Sequence, residues 1–325
     1  MAAHFNDNDV DDFMDHALSS NASLYVVHEA CGPFYTSKER ARFGNDSSYG
    51  GITGSVRPYD VGRIARLLMT GRFKDSDTQL LSSDFLLKKH TSVFLDAGSG
   101  TGRPTFYFAR LALRCSIGFD IDELQVSNSR ACLNKLVQLD PSRFSSPISL
   151  FKQDALALDS LGPVTHAYCF IGYPLLAVKL ARLALTSPQL KVICVVTLDN
   201  KWLTSAGLVD DKEVIALHSM KMSGGNSYRG AVIPLTEYRK RTIAAALAEE
   251  EESFTMAEGA VEPNQVNAQL ELALECGPNQ LDAGNWQQAG RPIRACRAPP
   301  KAMAGVTMGL AADRKRARLM GSLFL

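Results

Sequence analysis

The stretch Asp96-Ala97-Gly98-Ser99-Gly100-Thr101-Gly102, directly after the apolar run Val93-Phe94-Leu95, constrains this chain more than any other feature. A short buried strand that meets three glycines at alternate positions reads as a tight turn from strand into helix. Glycine supplies backbone conformations that other residues avoid, and it removes the Cβ where a ligand must approach the chain. Pro104 is suited to the first helical position after such a loop. The alternative is a glycine turn that holds no ligand.

The surrounding sequence alternates strand and helix. Apolar runs predict strands at Val93 to Leu95, Cys115 to Phe119, Ile148 to Phe151, Ala167 to Phe170 and Val192 to Thr197. Val214 to His218 and Tyr228 to Leu235 read as a closing antiparallel pair. Helical spacing covers the segment opened by Pro58 (Val61, Ile64, Ala65, Leu68), the run Phe106 to Leu113, Asp122 to Leu139 and Leu175 to Leu185. Regular alternation of this kind predicts an α/β fold: a doubly wound, seven-stranded, mostly parallel sheet with helices on both faces.

Three domains of composition follow. Residues 1–44 are a polar extension with a short helix near Asp11 to Leu18; 45–240 carry the α/β pattern; 241–325 form an acidic then basic tail of low order. From Thr242 to Gly290 there are nine acidic residues and no Lys or Arg; from Arg291 to Leu325 there are eight basic residues and one acidic, Asp313. Helix is expected to continue to about Ala248, with disorder beyond. The basic run Arg314-Lys315-Arg316-Ala317-Arg318 reads as a solvated tail, a nuclear signal or a nucleic-acid phosphate contact.

In a doubly wound sheet the ligand lies beyond the carboxyl ends of the strands. Asp96 closes the first strand, and the Gly98-x-Gly100-x-Gly102 spacing differs from the Gly-x-Gly-x-x-Gly of dinucleotide binders. An acidic residue before this loop suits S-adenosyl-L-methionine (SAM), whose ammonium and sulfonium charges stand where a dinucleotide carries pyrophosphate. Asp120, at the end of the second strand, is placed to accept both ribose hydroxyls, with Asp122 as the competing candidate. Asp154, after the third strand, is placed for the adenine amino group, with a helix N-cap as the alternative. Tyr168-Cys169-Phe170-Ile171-Gly172-Tyr173-Pro174 follows the fourth strand and reads as an aromatic wall beside the transferable methyl, or as plain core packing.

Several of these pieces occur together. Tyr49-Gly50 in a glycine-rich loop, the run Phe94 to Gly102, Gly118-Phe119-Asp120, Thr165 to Phe170, and Met220 to Gly225 resemble the Dot-type (disruptor of telomeric silencing) histone lysine methyltransferases over residues 45–235. That resemblance implies a class I SAM methyltransferase fold and methyl transfer to a histone lysine. Tyr49, Gly50 and Thr53 would close over SAM. Asp96 and Gly98, with Ser99, Gly100 and Gly102, would face its methionine part. Asp120 would hold the ribose and Asp154 the adenine, and Phe170 and Tyr173 would wall a lysine channel. It also implies a nucleosome as partner and a nuclear location. The chain departs from the family at Gly51, where Glu is usual, at Arg103, where Gln is frequent, and around Phe170-Ile171, where an Asn or Asp is expected.

Other function classes are a SAM methyltransferase of a small molecule or non-histone protein, and an inactive SAM-fold binding module. A nicotinamide-linked oxidoreductase is disfavoured by the glycine spacing. Seven cysteines without a CxxC pair, and no Cys/His spacing that suits zinc, predict buried free thiols and no metal site. No apolar run reaches the ~18–20 residues of a membrane helix, so a soluble intracellular protein is expected. The net charge of +1 points neither toward nor away from nucleic acid.

Overall fold

The computed structural model describes residues 3–18, 58–74, 76–139, 144–172, 174–197, 199–210, 215–221 and 227–254, all within the compact unit Met1–Gln280. The loop Tyr49 to Thr53, the side chain of Tyr173 and the acidic-then-basic tail beyond Phe254 lie outside the described residues.

Helix α1 spans Asp7–Leu18 and α2 Pro58–Thr70. Asn6 and Asp9 exchange side-chain to backbone hydrogen bonds at 2.8 and 2.9 Å. This reciprocal cap starts α1 four residues before the apolar pattern of the sequence predicts. The segment is also more than a polar extension. Phe5, Val10 and Phe13 are buried in the same core as Ile64 and Leu68 of α2, while Asp7, Asp9 and Asp11 pair with Arg72, Lys89 and Arg66.

Five strands run parallel: β1 (Val93–Ala97), β2 (Cys115–Asp120), β3 (Ile148–Lys152), β4 (His166–Ile171) and β5 (Val192–Thr197). Beyond β5 lie β7 (Ser227–Pro234), antiparallel to β5, and β6 (Ile215–Lys221), antiparallel to β7. The sheet order is β3-β2-β1-β4-β5-β7-β6. Every residue of β1 and β5 is buried. Strands covered on both faces need no polar alternation, which is why they read as continuous apolar runs.

The connections divide between the faces. On one face α2, α3 (Arg103–Phe108) and α4 (Glu123–Leu139) cover Phe94, Tyr168, Cys194, Val196 and Val232. On the other, α5 (Pro174–Thr186) and α7 (Glu237–Phe254) cover Leu95, Ile117, Ala167, Cys169, Val195 and Ile233. Helix α3 stops at Phe108, short of the expected Leu113. The Ala109 carbonyl accepts instead from the backbone N–H groups of Ser145 and Ser146, at 3.0 and 2.9 Å. Helix α7 crosses the compositional boundary at 240, and Ile243 and Leu247 are buried against the second face. Arg239 on α7 is fully buried and donates to the Gly207 carbonyl and to Asp210, which fastens α6 (Asn200–Ser205) and its following turn to α7. Cys115, Cys132, Cys169 and Cys194 are buried free thiols.

Candidate functional site

The glycine loop is built against the end of β2. The N–H groups of Gly98 and Ser99 both donate to the Phe119 carbonyl, at 2.9 and 2.8 Å, and the Gly102 N–H donates back to the Ser99 carbonyl at 2.8 Å. This turn requires φ of +74° at Gly98, +53° at Gly100 and +79° at Gly102, a left-handed backbone open to glycine at little cost.

The three glycines do different work. A Cβ on Gly98 would meet no atom within 4 Å, so the loop faces open space there. A Cβ on Gly102 would lie 2.4 Å from Ser129 Oγ and 2.9 Å from Phe106 Cζ. Gly102 therefore faces into the protein and lets α3 lie against α4, instead of turning toward a ligand. Gly118, on β2, was expected only as part of the resemblance, yet it is as constrained. Its Cβ would stand 2.6 Å from Thr105 Oγ1 and 3.1 Å from the Ser99 Cβ, so its lack of a side chain lets the loop settle on the strand.

Asp96 is buried beneath this loop. Its Oδ2 accepts from the Thr105 N–H at 3.2 Å and from Thr105 Oγ1 at 2.9 Å. Burial raises its pKa to about 7; the Thr105 bonds oppose the rise, and the Asp120 charge adds to it. The residue expected to face the methionine part of the cofactor thus also supports the start of α3.

Asp120 is half-buried at the carboxyl edge. Its Oδ2 accepts from the Gly100 N–H at 2.8 Å and its Oδ1 from the Asp122 N–H at 2.9 Å. Burial pushes its pKa up. Asp122 is occupied elsewhere: its Oδ1 accepts from the Leu124 N–H at 3.0 Å, at the start of α4. Of the two ribose candidates, Asp120 is therefore the one held against the loop. Asp154 caps the 3-10 turn Ala155–Ala157 through Oδ1, which accepts from Leu156 N–H at 2.8 Å. Gln153 N–H donates to the Asp120 carbonyl at 2.9 Å, which sets the ends of β2 and β3 side by side.

One group, Asp60, went unnoticed in the sequence. Asp60 on α2 is buried at 4 % exposure, with Arg63 Nη1 at 3.3 Å. Tyr168 on β4 sits beside Asp96 across the β1–β4 ladder. Burial first, then the Asp96 charge and, more weakly, that of Asp60, push the Tyr168 hydroxyl well above its ordinary pKa. The sheet edge is acidic on this face. The signal for Asp60 was its place one turn before Ile64, on the buried stripe of α2.

At the end of β4, Phe170 is half-buried and meets Tyr228 of β7 edge to face, with ring centroids 5.6 Å apart. Ser99 is buried within the loop. Among the described residues no group of three His, Cys, Asp or Glu side chains is placed to hold a metal, and no helix is long and apolar enough to cross a membrane.

No family model matches the sequence, and no curated protein matches it. Several solved structures resemble part of the chain. A putative RNA methyltransferase from Pyrococcus horikoshii is 10% identical over 67% of this chain and 97% of its own, with a TM-score of 0.40. TrmN from Thermus thermophilus is 18% identical with a TM-score of 0.34; the match covers 44% of each chain, less than half the length of that protein. An RNA methyltransferase from Salinibacter ruber, solved with S-adenosyl-L-homocysteine, is 18% identical over 46% of this chain and 84% of its own, with a TM-score of 0.34. Likeness at this level says nothing of substrate, which the chain's own residues must supply.

Proposed function

We propose that this chain is a SAM-dependent methyltransferase whose acceptor is a small molecule or a non-histone protein. The observation that carries the reading is the loop Gly98 to Gly102 folded onto Asp120, with open space at Gly98. The rest of the edge suits the same ligand. The carboxyl groups of Asp96 and Asp120 stand there, which favours a cationic cofactor and opposes a pyrophosphate. The antiparallel β7 strand, inserted between β5 and the edge strand β6, agrees with the Rossmann-like methyltransferase architecture.

When bound, the cofactor would supply an electrophilic methyl group for an acceptor lone pair, with the C–S bonding pair left on sulfur and the acceptor's proton lost to water. The residues of this chain do the holding. Gly98 and Gly100 would let the backbone approach, Asp120 would hold the ribose, and Asp154 with the turn after it would border the adenine. Asp96, once ionised, would add negative charge at the methionine end. Transfer is an in-line displacement, so alignment of the two reactants is the main contribution the fold makes.

The Dot-type reading names a histone lysine. At the position where that family has an Asn or Asp, β4 ends in Phe170-Ile171. A non-histone acceptor fits these residues better. Titration calorimetry with SAM, S-adenosyl-L-homocysteine and NADH tests the cofactor: the first two bind and NADH does not. Radiolabelled methyl transfer into nucleosomes, free histones, total protein and a small-molecule extract tests the acceptor. Label confined to nucleosomes would return the histone reading.

A further inference from the structure

The last paired residues of β1 and β4 are Ala97 and Cys169. One step further, the two neighbouring chains present Gly98, which faces open space, and Phe170. Across the sheet Phe170 pairs with Val196 and Val196 with Gly230. Tyr228 lies two residues beyond Gly230 on β7, so it shares that face. Gly230 brings no side chain between them, and the Tyr228 ring reaches Phe170 at 5.6 Å with the planes 71° apart.

Both rings pack on the core from one side and are only half-buried. They differ in this from the stacked pair Phe94–Phe108, which is wholly buried. The Phe170–Tyr228 pair stands at the carboxyl edge, where ligands bind in such sheets, and next to the open space at Gly98. Nor does the chain from Phe170 to Gly172 offer a polar side chain to take the N–H of a desolvated amine. What it offers is ring surface, which prefers edge-to-face or offset contact with another ring.

We infer that Phe170 and Tyr228 form the acceptor-side wall of the site, and that they select a small molecule carrying a planar aromatic ring. This rests on the methyltransferase reading and specifies its substrate class. Tyr228 is a specificity-determining residue outside the cofactor's own contacts.

The test uses the full chain loaded with S-adenosyl-L-homocysteine. Saturation-transfer NMR is run against a fixed mixture of phenol, indole, quinoline and adenine with n-butylamine and Nα-acetyl-lysine. At least one ring compound is expected to receive saturation from the loaded protein, with the aliphatic amines silent. Tyr228→Leu weakens that binding about fivefold, in line with one lost ring contact, and leaves affinity for S-adenosyl-L-homocysteine unchanged in calorimetry. Tyr228→Phe keeps the ring and keeps the binding; Phe170→Leu substitutes for Tyr228→Leu should the latter unfold. The inference is overturned by preferential binding of the amines, by silence of every ring compound on loaded protein, or by ring binding that survives both Leu variants. Failure of the wild-type chain to bind S-adenosyl-L-homocysteine at all removes the methyltransferase reading, and this inference with it.

Discussion

Asp96 and Thr105 join the end of β1 to the first turn of α3: one carboxylate oxygen accepts both the backbone N–H and the hydroxyl of Thr105. The carboxylate is buried, and these two donors offset part of its desolvation. Thr105→Val removes the hydroxyl and keeps the shape. A loss of ~1–3 kcal/mol is expected, the cost of a buried acceptor short of a donor. The loss will be larger at pH 8 than at pH 5.5, because the hydroxyl stabilises the ionised form. Urea denaturation at the two pH values checks this.

Asp96 has its pKa raised to about 7 by burial, against 3.8 when unfolded. The folded chain therefore keeps a proton that the unfolded chain sheds. The associated stability is full below pH 3.8 and is lost as pH rises through 7, by ~4 kcal/mol at ~1.4 kcal/mol per unit. Asp96→Asn should flatten that slope. A cationic cofactor favours the ionised carboxylate, so SAM affinity should rise from pH 6 to pH 7 and binding should release protons. Calorimetry in buffers of different ionisation enthalpy measures the release.

The glycines can be told apart by substitution. Gly98→Ala strains a left-handed backbone by ~1–2 kcal/mol but meets no neighbouring atom. The fold should survive and SAM affinity should drop by an order of magnitude or more. Gly118→Ala pushes into Thr105 and Leu150, an overpacking that costs ~1–3 kcal/mol. It should lower the melting temperature first and affinity only as a consequence. Paired thermal and binding measurements separate the two outcomes.

His166 is fully buried, with Nε2 donating to the Phe85 carbonyl and Nδ1 against Thr165 Oγ1, both at 2.9 Å. Burial lowers its pKa to about 4 from 6.5. The neutral ring is the folded form, so its stability is present above pH 6.5 and is lost as pH falls toward 4. The loss reaches ~3 kcal/mol. NMR titration of the ring should show no protonation down to pH 5 while the protein stays folded.

The glycine loop, the five parallel strands, the antiparallel pair after them and the place of Asp120 were legible from the sequence. Glycine spacing, apolar runs and strand-end carboxylates are local properties, and each fixes its own few residues. The sequence also allowed Asp120 and Asp122 alike, and Asp154 as ligand or cap. The fold ties Asp120 to the glycine loop through the Gly100 N–H, whereas the bonds of Asp122 and Asp154, from the Leu124 and Leu156 N–H groups, are local turn bonds.

The rest belongs to the fold. That Gly98 faces open space while Gly102 and Gly118 face neighbours depends on where α4 and α3 come to lie. Tyr168 is buried in the core that α2 helps to form, and Phe170 meets Tyr228 because β7 returns antiparallel beside β5. Residue type and spacing set what each segment can become. Which side chains share a site is set by close packing and strand register between segments far apart in the chain, and no local pattern encodes that.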